Sequence, residues 1–367
     1  MSDAHPLIGQ PKAVLDTPAL LVDLDVLDAN IKRIADACRA HGVGWRPHMK
    51  GHKTPEIARR QLGAGAIGVT CAKVSEAEVM AAAGIRNILI ANEVVGAPKV
   101  RRLIDLVGSA DLIVGVDSFV SATELSDAAS AQGKTLKVAI EVNTGMNRAG
   151  VEPGAATLAL AAEIAGRPGL RLVGLFGWES HAVTLADPAE KERTVREAVG
   201  KLTATARACR EAGHGIEVVS CGGTGTFPYC IEQAGVTEVQ IGGAIFSDRR
   251  YREQYHMDFP FALTVLATVI SRPSSTRIVL DAGRKTMSGD AAMPQPLGLP
   301  AIAAARLSAE HATIELRQSS DTPRIGDKVE FVVGYHDTTV HLHEEIVAVR
   351  NGRVEAVWRV AARGKIK

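Results

Sequence analysis

Lys50 closes the segment Arg46-Pro47-His48-Met49-Lys50, and Gly51-His52-Lys53 follows it. A lysine amine becomes a nucleophile when neighbouring positive charge or burial lowers its pKa, and Arg46, His48, His52 and Lys53 are expected to crowd it in that way. Two glycine-rich stretches lie further along, Cys221-Gly222-Gly223-Thr224-Gly225-Thr226 and Gly242-Gly243. Glycines let backbone amides approach an anion closely, and the two threonines add hydroxyl donors. The chain lacks G-x-x-x-x-G-K-[ST], so a nucleotide P-loop is not expected. Other polar residues gather at Glu141, Asn143, Asn147 and Arg148, at Trp178-Glu179-Ser180-His181, and at Tyr335-His336-Asp337 with His341 and His343 nearby.

These residues need elements to bring them together. Eight runs rich in apolar and β-branched residues recur: 43–49, 66–70, 87–91, 112–116, 136–142, 170–177, 216–220 and 236–241. Helical patterns separate most of them, for example 75–83, 118–132 and 190–212. Strands joined by helical crossovers pair in parallel, and eight is the number that closes a parallel sheet into a filled barrel. The fold class is therefore α/β, a (β/α)8 TIM-type barrel, with an open doubly wound sheet as the alternative. After residue 258 the helical period fades, and short β-rich runs take over at 262–270, 277–281, 313–316, 328–333, 345–350 and 353–360. Asn351-Gly352 between the last two is a hairpin turn signal. We expect a barrel over residues 22–257 and a mainly antiparallel β domain from residues 1–21 and 258–367.

In such a barrel, reactive groups stand at the carboxyl ends of the strands, and the loops after strands seven and eight commonly hold phosphate. Lys50 follows the first run, and the two glycine-rich stretches follow the seventh and eighth. A nucleophilic lysine beside a cradle for a single phosphate fits an aldehyde cofactor, and pyridoxal 5′-phosphate (PLP) has that constitution.

The 367-residue chain carries 42 basic and 41 acidic side chains, a formal net charge of +1, with 46% hydrophobic and 4% aromatic residues. That balance argues against a nucleic-acid groove or an anionic membrane surface as partner. Apolar stretches are too short for a membrane span, and no secretory pattern opens the sequence. Five cysteines without a C-x-x-C pair read as reduced, mostly buried thiols, which suits a cytoplasmic protein.

The segment Arg46 to Lys53 resembles the R-P-H-x-K-x-H-K signature of the D-threonine aldolase and D-serine dehydratase family. Thr17-Pro18-Ala19-Leu20-Leu21-Val22-Asp23, Asn143-Thr144-Gly145-Met146-Asn147-Arg148-Ala149-Gly150 and Asp281-Ala282-Gly283 are also similar to that family. The resemblance implies a fold-type III PLP enzyme, an alanine racemase-like barrel followed by a β domain. It implies that Lys50 carries the cofactor covalently. Arg148 would face the pyridine nitrogen, and Thr224, Gly225, Thr226, Gly242 and Gly243 would hold the phosphate. The family also uses a divalent metal, Mn2+ or Mg2+, bound through a His-x-Cys or His-x-Asp pair. Here Tyr335 stands at the usual histidine, Asp337 at the second ligand, and His336 one place off. His336 and Asp337 are the expected ligands; His341 is a further candidate that would share a face with His343 if the segment were extended.

The expected activity is cleavage of a β-hydroxy-D-amino acid to glycine and an aldehyde, with His181 as base or hydroxyl contact and Glu179 and His52 in support. The substrate is a small amino acid and the expected assembly a homodimer. Elimination from D-serine or 3-hydroxy-D-aspartate is the nearest alternative. A non-catalytic PLP carrier and a phosphate-sugar barrel enzyme are alternatives of other classes.

Overall fold

The computed structural model of the chain describes residues 5–367 and divides into two compact units. One comprises residues 31–50, 55–242 and 364–367; the other comprises the stretch up to Asn30, residues 51–54 and residues 243–363.

In the first unit all eight expected runs hold a strand: Gly44–Trp45, Val69–Cys71, Asn87–Glu93, Asp111–Val116, Leu136–Glu141, Leu170–Phe176, Val218–Cys221 and Glu238–Val239. Every neighbouring pair is parallel, and the first strand pairs with the eighth. The ring closes where the first strand runs on toward the second. Ile67 and Thr70 donate their amides to Trp45 O and Pro47 O at 2.8 Å, and His48 bridges Thr70. The sheet is thus a closed barrel rather than an open doubly wound sheet. Leu89, Ile113, Ala139, Val173 and Phe176 form an apolar plug inside it.

Helices cover the outside because their apolar residues repeat every three or four positions. The longest, Pro188–Glu211, buries Val195, Ala198, Val199, Leu202, Ala206 and Cys209 along one stripe. Asp187 caps it by accepting the Ala189 amide at 3.0 Å, and Pro188 opens its first turn, where a missing N–H costs nothing.

The seam between first and eighth strands carries a buried ion pair. Arg46 donates from Nε to Glu238 Oε1 at 2.8 Å and from Nη2 to Oε2 at 2.9 Å. Its Nη1 reaches Asn87 Oδ1 at 2.6 Å, so one guanidinium ties the first, third and eighth strands. Both oxygens of the Glu238 carboxylate are engaged by Arg46.

The second unit is a mainly antiparallel sheet. Its central strand, Leu263–Ser274, pairs with Ala19–Asp23, Arg277–Leu280 and Lys328–Val332. Ala19–Asp23 pairs in parallel with Glu345–Arg350, which forms the Asn351-Gly352 hairpin with Arg353–Arg359. A strand at Ile302–Leu307, paired with Ala312–Leu316, was not among the expected runs.

Replacing Arg46 with Ala leaves Glu238 buried and unpaired. We expect it to lower unfolding stability by about 3–5 kcal/mol, read from the urea midpoint. A loss below about 1 kcal/mol would show that the seam does not depend on this pair.

Candidate active site

In the barrel unit, Lys50 sits in the short turn Met49–Gly51 at the carboxyl end of the first strand, with an exposed side chain. Its amide donates to His48 Nδ1 at 3.4 Å. The loop after the seventh strand turns back on itself: Thr226 N donates to Gly223 O at 3.1 Å. Gly223 allows Trp178 to pack on this loop, since a Cβ there would fall 2.2 Å from the indole ring.

Beneath the loop lies Glu179, 1% exposed. It accepts the Thr226 hydroxyl, the Gly222 amide at 3.4 Å and the Cys230 thiol at 3.5 Å. Burial raises the pKa of Glu179 and these donors oppose the rise. The Thr226 hydroxyl is therefore committed inward, and the loop's capacity for an anion lies in its backbone. The amides of Gly225 and Gly242 donate to no acceptor among the described residues. Uncommitted amides at the ends of strands seven and eight fit the phosphate of PLP.

Glu179, Cys221 and Cys230 also offer ligand atoms within 4.8 Å of one another. Burial pushes the Cys230 thiol up, and all five cysteines are buried and free of disulfides.

Arg148 and His181 stand on the loops after the fifth and sixth strands. Arg148 Nη2 lies 3.5 Å from Glu141 Oε1, the last residue of the fifth strand. The His181 ring packs against the backbone of Gly145, where a Cβ would come within 3.0 Å of it. Burial, and then the charge of Lys201, lower its pKa, which favours the neutral imidazole that can accept a proton.

In the β unit, His336 and Asp337 lie in a 3-10 turn, His336–Thr338, rather than an extended strand. A second such turn, Val340–Leu342, sends His341 and His343 to different partners: His341 Nδ1 to Asp337 O at 3.3 Å, His343 Nε2 to Thr286 O at 2.7 Å. The expected shared face of those two histidines does not form.

His336 is 1% exposed, and its Nδ1 pairs with Asp248 Oδ2 at 2.5 Å. Its Nε2 is buried without a hydrogen-bond partner, 3.1 Å from Asp337 Oδ1. Tyr335 donates its hydroxyl to the other carboxylate oxygen, Asp337 Oδ2, at 2.8 Å. Gly51, with no side chain, faces both donors; a Cβ would lie 2.6 Å from His336 Nε2 and 2.7 Å from Asp337 Oδ1. Burial alone would lower the pKa of His336, but Asp248 and Asp337 raise it to about 9. A buried nitrogen beside a carboxylate oxygen calls for positive charge, which a proton on His336 supplies and a divalent cation could supply in its place. Asp248 was not singled out in the sequence. It is far from residue 336 in the chain, and only the fold makes it the group that fixes the ring.

The chain matches the family Alanine racemase, N-terminal domain, over residues 22–250 and the Putative serine dehydratase domain over residues 262–349. It is 36% identical over 360 residues to a D-threonine aldolase of Arthrobacter sp, covering 97% of this chain and 95% of that one. The chain belongs to the D-threonine aldolase and D-serine dehydratase family. A 3-hydroxy-D-aspartate aldolase of Paracoccus denitrificans is 32% identical, covering 99% of this chain and 96% of the relative. The crystal structure of the family member D-threonine aldolase from Filomicrobium marinum superposes with a TM-score of 0.94 at 38% identity, covering 98% of this chain and 99% of that one.

Within this family frame, Asp248 should behave as the residue that orients His336. Asp248→Ala is expected to weaken binding of Mn2+ by about 10–100-fold in titration calorimetry, as losses of such partners do elsewhere. Unchanged affinity would mean that the Asp248–His336 contact does not support a metal site.

Proposed function

We propose that this chain is a PLP-dependent aldolase that cleaves β-hydroxy-D-amino acids of the D-threonine type to glycine and an aldehyde. One observation carries the reading: the same barrel holds a lysine at the end of its first strand and uncommitted amides at the ends of its seventh and eighth. The relatives narrow the substrate. A D-threonine aldolase and a 3-hydroxy-D-aspartate aldolase are both named for β-hydroxy-D-amino acids.

Lys50 would hold the cofactor covalently through its amine. Gly225, Gly242 and Gly243 amides, with Thr224 and the Thr226 backbone, would hold its phosphate. Bound PLP supplies a sink for the electron pair left at the substrate's α-carbon. Arg148 would face the ring nitrogen; a guanidinium donates hydrogen bonds and does not give up a proton, so that nitrogen would stay unprotonated. The sink is then weaker, and more of the work falls on the group that removes the β-hydroxyl proton. His181, favoured as neutral imidazole, is that base. His336 Nε2 and Asp337 would hold Mn2+ or Mg2+, whose chemistry is to acidify a bound hydroxyl. A homodimer in the cytoplasm is the proposed setting; five thiols free of disulfides suit a reducing compartment.

The deciding assay offers D-threonine and D-serine with and without a chelator. Glycine and acetaldehyde from D-threonine, with activity falling on chelation and returning with Mn2+, is the expected result. A 2-oxo acid and ammonia would instead make the chain a dehydratase, and no turnover with PLP bound would make it a carrier. Lys50→Ala should abolish the borohydride-fixed cofactor adduct and cut kcat/KM by about a thousand-fold, ~4 kcal/mol. His181→Ala should lower kcat by about 10²–10⁴-fold while leaving cofactor binding intact.

A further inference from the structure

The barrel interior holds two acidic side chains that the proposed mechanism does not use. Glu141 ends the fifth strand and is 4% exposed. Glu93 ends the third strand, and its Oε1 is buried with no hydrogen-bond partner. Their strands run on either side of Asp111–Val116, with Glu93 in register with Gly115 and Gly115 in register with Ala139. Glu141 stands two residues beyond Ala139, on the same strand face, so both carboxyls cap the apolar plug of Leu89, Ile113, Ala139, Val173 and Phe176.

The charged groups around them are few. Arg148, from the loop after the fifth strand, reaches Glu141 Oε1 at 3.5 Å and is itself half exposed. The fourth strand contributes no charged side chain over Leu112–Val116, and Asp117 beyond it accepts the Gly150 amide at 3.3 Å. The sixth strand contributes Phe176 here, and Glu152 is turned to Asn143 at 2.8 Å. A buried carboxylate at Glu141 and a half-buried one at Glu93, whose Oε1 is buried, against one part-exposed guanidinium leave one negative charge in excess. A proton between them removes the excess and gives the orphaned Glu93 oxygen the donor it lacks.

We infer that Glu93 and Glu141 share a single proton and act together as the one-charge counter-anion that positions the Arg148 guanidinium. The proton belongs to the pair rather than to either residue. Arg148 keeps one anionic partner while its outer face stays available. The inference rests in part on the proposed role of Arg148 toward the cofactor's ring nitrogen. Glu93 and Glu141 are positioning residues, acting on that ring only through the arginine.

Burial, then the Glu93 carboxyl, push Glu141 from 4.5 up to about 8, with Arg148 opposing. The sign follows directly. The native chain keeps a proton that the unfolded chain has lost, so stability falls as pH rises from about 4.5 to about 8 and levels off above. Thermal unfolding of the full chain without cofactor tests the pair, from about pH 6 to about pH 9. Glu93→Gln and Glu141→Gln should each flatten the decline in Tm relative to wild type, and the control Glu152→Gln should run parallel to wild type. Parallel slopes for Glu93→Gln and wild type would overturn the shared proton. The second readout is the visible absorbance of the PLP-loaded enzyme as a function of pH. It should change profile in Glu141→Gln and keep the wild-type profile in Glu152→Gln. An unchanged profile in Glu141→Gln overturns the positioning role. A wild-type chain that takes up no PLP overturns the proposed function instead, and the unfolding series still decides the pair.

Discussion

A parallel sheet must either bury two raw edges or join them, and in this chain everything else follows from the join. The strands at the seam are short, Gly44–Trp45 against Glu238–Val239, and give few ladder hydrogen bonds. The Arg46–Glu238 pair sits there, nine-tenths and more buried, with both oxygens of the carboxylate engaged. Desolvating two ions is costly, and the bidentate geometry with the added Asn87 bond offsets that cost. Four residues after Arg46 comes Lys50. The ion pair at this seam therefore also fixes the direction in which the backbone delivers the lysine.

The buried acids of the two units are answered in different ways. Glu238 receives a guanidinium, Glu179 a hydroxyl, an amide and a thiol, and Asp248 both the amide and the ring nitrogen of His336. Each solution suits a different task. A full counter-charge makes a rigid strut, neutral donors tie down a loop without placing strong charge under an anion site, and a carboxylate on imidazole fixes its tautomer and tilt.

Much of the fold was legible in the sequence, because β-branched runs alternate with helical stripes at a regular interval, and each of the eight runs holds a barrel strand. The strand Ile302–Leu307 was not legible. Its Ala303-Ala304-Ala305 core has the composition of a helix, and it is extended only because it pairs with Ala312–Leu316. The segment after Tyr335 carries no strand run in the sequence, and its backbone forms 3-10 turns. The lysine and the glycine loops could be found from their order along the chain. The pairing of His336 with Asp248, and the approach of Cys221 and Cys230 to Glu179, could not. They depend on packing between distant segments, which no local pattern encodes.

The strand Ala19–Asp23 lies between Leu263–Ser274 and Glu345–Arg350, both in the last third of the chain. A ribosome releases that strand first and its partners last. The barrel segments can therefore emerge and close while an apolar strand, Ala19-Leu20-Leu21-Val22, still waits for its neighbours. During synthesis this segment is a sticky edge, and the interval before the final hairpin arrives is when a nascent chain of this topology is most exposed to mispairing with another.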